Sequence, residues 1–196
     1  MTNKKLITLP VIKPRWYQLP VWHAYHSGKK NIILSMCRRM GKDVTSLSIA
    51  VHYAMNNPQS SVVIMCPTLA WTKRVYSKKG QEVLITNPIT GEQEIKRGSL
   101  LDVCIPKELM ANENHTEGVY TLINGSTITL LGSNEGTFVG MRINFLLVSE
   151  TASHKESIFG LISPVMEESG GITLFNGTVT NEDNFFWEWI ENNKDL

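Results

Sequence analysis

The stretch SMCRRMGKDVTS, residues 35 to 46, contains the residues best suited to bind phosphate. Gly41 permits a tight turn, and Lys42 supplies an ammonium group for the outer phosphates of a nucleotide. Met36 stands where a first glycine is usual, and Asp43 stands where Ser or Thr is usual. The stretch therefore predicts a nucleotide site with unusual ligands. The alternative is a surface lysine that follows a turn glycine.

A second group of candidate residues ends the run FLLVSE, residues 145 to 150. Glu150 is placed to orient an attacking water, while Ser149 stands where an acidic metal ligand is usual. We hypothesise that Asp43 and Ser149 have exchanged roles, because together they still offer Mg²⁺ one carboxylate and one hydroxyl. The alternatives are that Asp43 is a first-turn residue favoured by the helix dipole and that Glu150 merely begins a helix.

Alternating strands and helices must position these residues. Short apolar runs predict buried strands over residues 31–36, 60–67, 143–150 and 170–178. Residue patterning predicts helices over residues 16–28, 42–57, 69–84, 153–168 and 184–193. Asn124-Gly125 predicts a hairpin over residues 119–132. Residues 1–14 read as an extended arm, and residues 85–118 read as an irregular insertion or loop.

This alternation predicts an α/β fold with a mostly parallel central sheet flanked by helices. Ligands of such sheets bind at the carboxyl ends of the strands. The candidate functional residues all fall at predicted strand ends, in the segments 38–43, 66–68, 149–150 and 176–178. Their shared position is the main reason to expect an active site.

Composition narrows the possible classes of protein. The chain has 196 residues and a formal net charge of +1, so its overall charge does not attract nucleic acid or membranes. No stretch of about 18 apolar residues predicts a membrane span. Three cysteines, Cys37, Cys66 and Cys104, lack metal-ligand spacing and suit a reducing compartment.

Basic residues cluster locally in two places. Four of them lie on the predicted helix over residues 69–84, namely Lys73, Arg74, Lys78 and Lys79. Two more, Lys96 and Arg97, are expected on a loop. Such clusters neutralise DNA phosphates without reading bases. The alternative is an ordinary solvated helix face.

Taken in chain order, these motifs resemble the ATPase domain of tailed-bacteriophage large terminases, the DNA-packaging motors. WYQLPVWHA resembles the adenine-binding segment, and CRRMGKD resembles the terminase form of the phosphate loop. VVIMCPTLAWTKRVY resembles the helicase-like strand and helix that follow that loop. FLLVSETA resembles the acidic strand motif, and LFNGTVT resembles the coupling motif that relays phosphate state to DNA movement.

The resemblance implies a P-loop NTPase of the additional-strand type that uses ATP and Mg²⁺. It implies that the nucleotide contacts Tyr17, Gln18, Met36, Cys37, Arg38, Arg39, Met40, Gly41, Lys42, Asp43 and Val44. The implied catalytic residues are Glu150, Lys42 and Arg38, the last as the loop arginine acting in cis. The choice of arginine finger stays open between Arg38, Arg39, Arg142 and a residue of a neighbouring subunit. The implied coupling residues are Asn176, Gly177 and Thr178.

The resemblance also implies partners and an organisation. The expected partners are double-stranded DNA, the portal protein, the small terminase subunit and further copies in a ring, expected to be a pentamer. This ring would act on the procapsid in the host cytoplasm, without a membrane. We expect a single ATPase domain over residues 1–196, with an arm and adenine segment over 1–30, a P-loop core over 31–196 and no nuclease domain. The alternatives are a helicase-like translocase or remodelling ATPase, and a decayed nucleotide-binding module that does not hydrolyse ATP.

Overall fold

Among the residues that the structure describes, seven strands form one sheet in the order β1-β9-β8-β2-β7-β6-β5, and two further strands, β3 and β4, pair separately. The structure, a computed structural model, describes residues 13–87, 90–133, 138, 140–179 and 185–192. The strands are β1 Asn31–Ser35, β2 Ser61–Cys66, β3 Gln81–Thr86, β4 Gln93–Gly98, β5 Met110–Asn114, β6 Val119–Leu122, β7 Thr127–Gly132, β8 Phe145–Ser149 and β9 Ile172–Gly177. The predicted arm over residues 1–14 lies outside the described residues except for its last two positions.

Six α-helices and three short 3₁₀ turns are found among the described residues. The helices are α1 Leu19–His26, α2 Lys42–Asn56, α3 Leu69–Tyr76, α4 Leu100–Cys104, α5 Ser157–Ser169 and α6 Phe185–Asn192. The 3₁₀ turns are Trp16–Gln18, Lys107–Leu109 and Thr151–Ser153. In the part of the chain that the structure describes, no helix is long and apolar enough to cross a bilayer.

The central sheet is mostly parallel, as predicted. Strands β1, β9, β8, β2 and β7 run parallel to one another, and β6 and β5 extend the sheet beyond β7 in antiparallel pairings. The predicted hairpin over residues 119–132 is confirmed, because β6 and β7 form it. Strand β9 lies between β1 and β8. It occupies the place of the additional strand that the resemblance implies.

Helices cover both faces of the sheet. Alternate residues of the inner strands divide between two apolar clusters: Ile64 and Leu147 belong to one, while Met65 and Val148 belong to the other. Every residue of β8 and β9 is buried, as expected for parallel strands covered on both sides. The carboxyl ends of these strands are therefore held rigidly.

The helix predicted over residues 69–84 is too long. Thr68 caps its start by accepting a hydrogen bond from the backbone N–H of Trp71 (3.2 Å), but the helix ends at Tyr76. Gly80 adopts a φ of 78°, and the following residues alternate between buried and exposed, which is the strand periodicity of β3. Lys78 and Lys79 consequently lie in the turn after α3 rather than on the helix.

The description of residues 85–118 as irregular was wrong. They contain β4, α4 and β5, and α4 begins with a capping box in which Ser99 and Asp102 exchange hydrogen bonds. Lys96 and Arg97 lie on β4 rather than on a loop, and Arg97 pairs with Glu82 across the strands at 2.9 Å. The exposed polar residues of this segment concealed its strand pattern.

Candidate nucleotide site

The carboxyl ends of β1, β9 and β8 meet at one edge of the sheet. Ser35 pairs in register with Gly177, and Ser149 pairs with Asn176. The loop after β1 is tied to β9 because the Met36 N–H donates to the Gly177 carbonyl at 3.1 Å. These pairings bring together three of the four predicted strand-end segments.

The loop between β1 and α2, residues 36–41, is the predicted phosphate loop. Arg39 and Gly41 both adopt left-handed conformations, with φ of 66° and 79°. A Cβ at position 41 would also lie 3.1 Å from the side-chain nitrogen of Gln18, so this position requires glycine. Helix α2 begins immediately afterwards, which directs its first N–H groups and the positive end of its dipole towards the loop.

Arg38 and Arg39 lie exposed on this loop, together with Cys37. Neither guanidinium forms an ion pair with any residue that the structure describes. Both are therefore accessible to an anion that approaches the loop from solvent. Arg142 is also exposed, but no contact in the described residues links it to this loop.

Lys42 is buried at the centre of the site, with 8% of its surface exposed. Its Nζ lies 2.8 Å from Oε1 of Glu150 and 3.4 Å from Oδ2 of Asp43. Burial alone would lower the pKa of Lys42, but the charge of Asp43 and the hydrogen bond to Glu150 outweigh it and raise that pKa. The side chain is therefore a fixed positive charge at neutral pH.

Asp43 and Ser149 face each other, as the exchange hypothesis requires. The Ser149 hydroxyl donates to Oδ1 of Asp43 at 3.4 Å, and the Asn176 amide donates to the same oxygen at 3.4 Å. Burial raises the pKa of Asp43, and the nearby Lys42 opposes this without cancelling it. A partly buried carboxylate whose pKa is raised despite a neighbouring cation is a feature of functional sites.

The Asp43–Ser149 pair suits a hard cation. A carboxylate and a hydroxyl oxygen converge there, and oxygen ligands of these types are those that Mg²⁺ prefers. Among the described residues there is no group of three or more His, Cys, Asp or Glu side chains that could hold a metal alone. A cation at this pair would therefore complete its shell with water and with phosphate oxygens, as Mg²⁺ commonly does.

Glu150 is held in a strained conformation. Its φ of 57° is left-handed, which is unusual for a residue with a side chain. Its N–H donates to Oδ1 of Asn176 at 3.2 Å, and its carbonyl accepts from the N–H of Ser153 at 2.8 Å. In this conformation the Glu150 carboxylate contacts Lys42 at 2.8 Å.

Asn176 links the three elements of the site. It is fully buried, and its amide nitrogen also donates to the Ser46 hydroxyl on α2 at 2.9 Å. Thr178, two residues later, donates to the Met36 carbonyl at 2.8 Å. The predicted coupling residues thus contact both the phosphate loop and Glu150, which follows β8.

Tyr17 and Gln18 lie beside the phosphate loop. The Gln18 amide donates to the Met40 carbonyl at 3.0 Å and accepts from the Arg15 N–H at 2.9 Å. The Tyr17 hydroxyl accepts from Arg15 at 2.7 Å. Both polar ends of Gln18 are thus engaged with backbone, and the residue supports the loop.

Three contributors to the site were missed from the sequence. Ser46 lies one turn after Asp43, a helical spacing that the sequence shows. His154 donates from Nε2 to the Ser149 carbonyl at 2.9 Å, and burial lowers its pKa. Thr151 donates to the Asn176 carbonyl at 2.8 Å. The last two had no sequence signal, because their partners lie on the sheet.

The chain is similar in structure to large terminases of bacteriophages. The large terminase of a thermophilic bacteriophage matches with a TM-score of 0.68 and 17% identity, over 92% of this chain and 43% of that one. The HK97 large terminase matches with a TM-score of 0.66 and 10% identity, over 93% and 38%. The ATPase domain of the Thermus phage P74-26 large terminase matches with a TM-score of 0.57 and 14% identity, over 94% and 75%.

These matches define the fold of the chain. The chain has the fold of a P-loop NTPase with a mostly parallel sheet flanked by helices. Within that class, it has the fold of large terminase ATPase domains, so the predicted resemblance is confirmed at the level of the fold. The chain spans less than half the length of the first two of these terminases. No protein-family model and no curated protein sequence matches it.

Proposed function

We propose that this chain hydrolyses ATP to drive double-stranded viral DNA into a procapsid. The observation that carries the proposal is the 2.8 Å contact between Lys42 and Glu150, with the Asp43–Ser149 pair beside it. The large terminase of the thermophilic bacteriophage, which shares this fold, has been crystallised with ADP and with ATP-gamma-S. Nucleotide binding by this chain is thus supported by its fold and by the local chemistry of the site.

The proposed mechanism divides the work between the two charged residues. Lys42 binds the outer phosphates of ATP, with the loop N–H groups and the start of α2 around them. Phosphate at Lys42 replaces Glu150 as the partner of the ammonium, and the freed carboxylate orients a water molecule. Asp43 and Ser149 would hold Mg²⁺, which would neutralise charge on the phosphate oxygens. Arg38, exposed on the loop, stabilises the charge that develops on the transferred phosphate.

The proposed coupling path runs through β9. Asn176 contacts both Asp43 and the backbone of Glu150, while Thr178 contacts the backbone of the phosphate loop. A change in phosphate occupancy at the loop therefore changes the hydrogen bonds that Asn176 and Thr178 make. This supports a role for residues 176–178 in relaying hydrolysis to movement.

The proposed DNA contacts lie on and after α3. Arg74, Lys78 and Lys79 are exposed, whereas the Lys73 ammonium donates to the Thr116 carbonyl at 2.7 Å. These exposed cations suit sequence-independent contact with DNA phosphates. We further propose that the chain works as a ring of copies, a pentamer, on the portal at the procapsid in the host cytoplasm, with the small terminase subunit as a partner.

A steady-state ATPase assay tests the proposal. We expect the wild-type chain to hydrolyse ATP in the presence of Mg²⁺ and double-stranded DNA, and Lys42→Ala to reduce kcat/KM by about 100-fold or more. Lys29→Ala serves as the control because Lys29 is exposed and lies before β1, away from the phosphate loop. If the wild type binds ATP but does not hydrolyse it under any of these conditions, the chain is instead a nucleotide-binding module with a decayed site.

A further inference from the structure

Tyr76 is a buried polar residue that the proposed mechanism does not use. It is the last residue of α3, and none of its surface is exposed. Its hydroxyl has no hydrogen-bond partner among the described residues. An unpaired buried hydroxyl is unfavourable, and its presence calls for an explanation.

The surroundings of the Tyr76 hydroxyl identify what it faces. Burial raises the pKa of Tyr76 well above its usual value, and the charge of Asp43 raises it further. The nearby side chains of Ser149 and Asn176 lower the pKa of Tyr76 in part. Neither of them meets the distance and angle criteria of a hydrogen bond to the Tyr76 hydroxyl. The hydroxyl is therefore a buried neighbour of Ser149 and Asn176.

The hydrogen bonds already present show which partner remains free to accept. The Ser149 hydroxyl donates its single proton to Asp43, so its oxygen keeps lone pairs for other interactions. Oδ1 of Asn176 already accepts from the Glu150 N–H. The phenol of Tyr76 is a donor without an acceptor among the described residues. Of the two neighbouring oxygens, Asn176 Oδ1 has one lone pair left and Ser149 Oγ has two, so Ser149 is the better acceptor.

We propose that Tyr76 is a positioning residue for the cation site, and that its hydroxyl donates to Ser149 Oγ when a cation is held by Ser149 and Asp43. This inference rests on the proposed function, because it assumes that these two residues bind Mg²⁺. Tyr76 then fixes the orientation of the Ser149 hydroxyl at the end of β8.

The test is the affinity for Mn²⁺, a spectroscopic substitute for Mg²⁺, in the presence of saturating ADP. Tyr76→Phe removes only the hydroxyl, and we expect it to weaken Mn²⁺ binding, followed by electron paramagnetic resonance, by about 10-fold or more. Affinity for ADP without metal should stay unchanged, because Tyr76 does not face the phosphate loop. Tyr120→Phe is the matched control: Tyr120 is also buried, but its hydroxyl lies 3.3 Å from Nδ1 of His115, outside the site.

Each alternative result has a distinct meaning. Equal Mn²⁺ affinity in wild type and Tyr76→Phe would overturn this inference and leave the proposed function standing. A wild-type chain that binds ADP but no Mn²⁺ would overturn both. If Tyr76→Phe lost metal-free ADP binding and thermal stability together, the hydroxyl would be structural rather than positioning, and the inference would also fail.

Discussion

Lys42 and Glu150 are 108 positions apart in the chain, yet their side chains meet at 2.8 Å. The contact joins the residue best placed to bind phosphate to the residue best placed to orient water. In the proposed mechanism, a phosphate and Glu150 compete for the same ammonium, so nucleotide binding would also release the carboxylate. The proposal therefore assigns the contact a second role, which is to hold the Glu150 carboxylate until a nucleotide binds.

The exchange of roles between Asp43 and Ser149 predicts a reciprocal rescue. Asp43→Ser and Ser149→Asp should each reduce the Mg²⁺-dependent ATPase rate by about 10- to 100-fold. The double variant restores one carboxylate and one hydroxyl, and we expect it to be clearly more active than either single variant. The measurement is kcat as a function of Mg²⁺ concentration for all four proteins. A double variant no more active than the worse single variant would refute the exchange.

Gln18 is predicted to support the loop rather than to read the base. Gln18→Ala removes two hydrogen bonds to backbone, and we expect it to lower the free energy of unfolding by about 1–3 kcal/mol. Binding of ATP and GTP should weaken by the same factor, because the loop that both share is loosened. Chemical denaturation and nucleotide titrations measure these effects, with the exposed Gln93→Ala as control. A loss confined to ATP would assign Gln18 to adenine recognition.

His154 predicts a pH dependence of stability. Burial lowers its pKa in the folded state below the ordinary value of 6.5, so the unfolded chain binds the proton first as the pH falls. Its contribution to stability is present above that value and is lost as the pH falls through the folded-state pKa. We expect the free energy of unfolding to fall less between about pH 7.5 and about pH 5.5 in His154→Gln than in wild type.

This comparison isolates His154, because His52, whose pKa burial also lowers, is present in both proteins. Gln keeps an N–H donor for the Ser149 carbonyl but does not titrate. If the free energy of unfolding changed with pH in the same way in both proteins, His154 would not contribute to the pH dependence of stability.

The exposed cations near α3 predict a salt dependence of DNA binding. Replacing Arg74, Lys78 and Lys79 with Ala should weaken binding of double-stranded DNA equally for all sequences. The slope of log affinity against log salt should become shallower by about three, roughly one for each lost phosphate contact. The control is the triple replacement of Lys13, Lys29 and Lys155 with Ala, since these exposed lysines lie elsewhere in the chain. Equal slopes for both triple variants would place the DNA on another surface.

Much of the fold and the centre of the site could be predicted because their signals are local. Apolar runs such as those of β2 and β8 mark buried parallel strands, and residues that follow parallel strands must meet at one edge. On this basis the sequence predicts that Lys42, Asp43, Ser149 and Glu150 lie close together. The order of the strands makes the meeting possible, since β9 places Asn176 between the loop and Glu150.

The remaining features depend on tertiary distances that a linear sequence does not reveal. Tyr76 reads as one more apolar position of a basic helix, and only the packed fold shows its hydroxyl near Ser149. The helix was extended past Tyr76 because the lysines that follow it are good helix formers. The turn at Gly80 and the pairing of β3 with β4 outweighed that propensity.

The most direct test of the proposed roles of Lys42 and Glu150 compares ATP binding with single-turnover hydrolysis in Glu150→Gln. We expect ATP affinity to be retained or increased, because the neutral amide competes less well for Lys42, while the rate of hydrolysis falls by about 100-fold or more. Glu156→Gln, at an exposed position six residues away, should behave as wild type. A Glu150→Gln protein that hydrolyses bound ATP at the wild-type rate would contradict these roles.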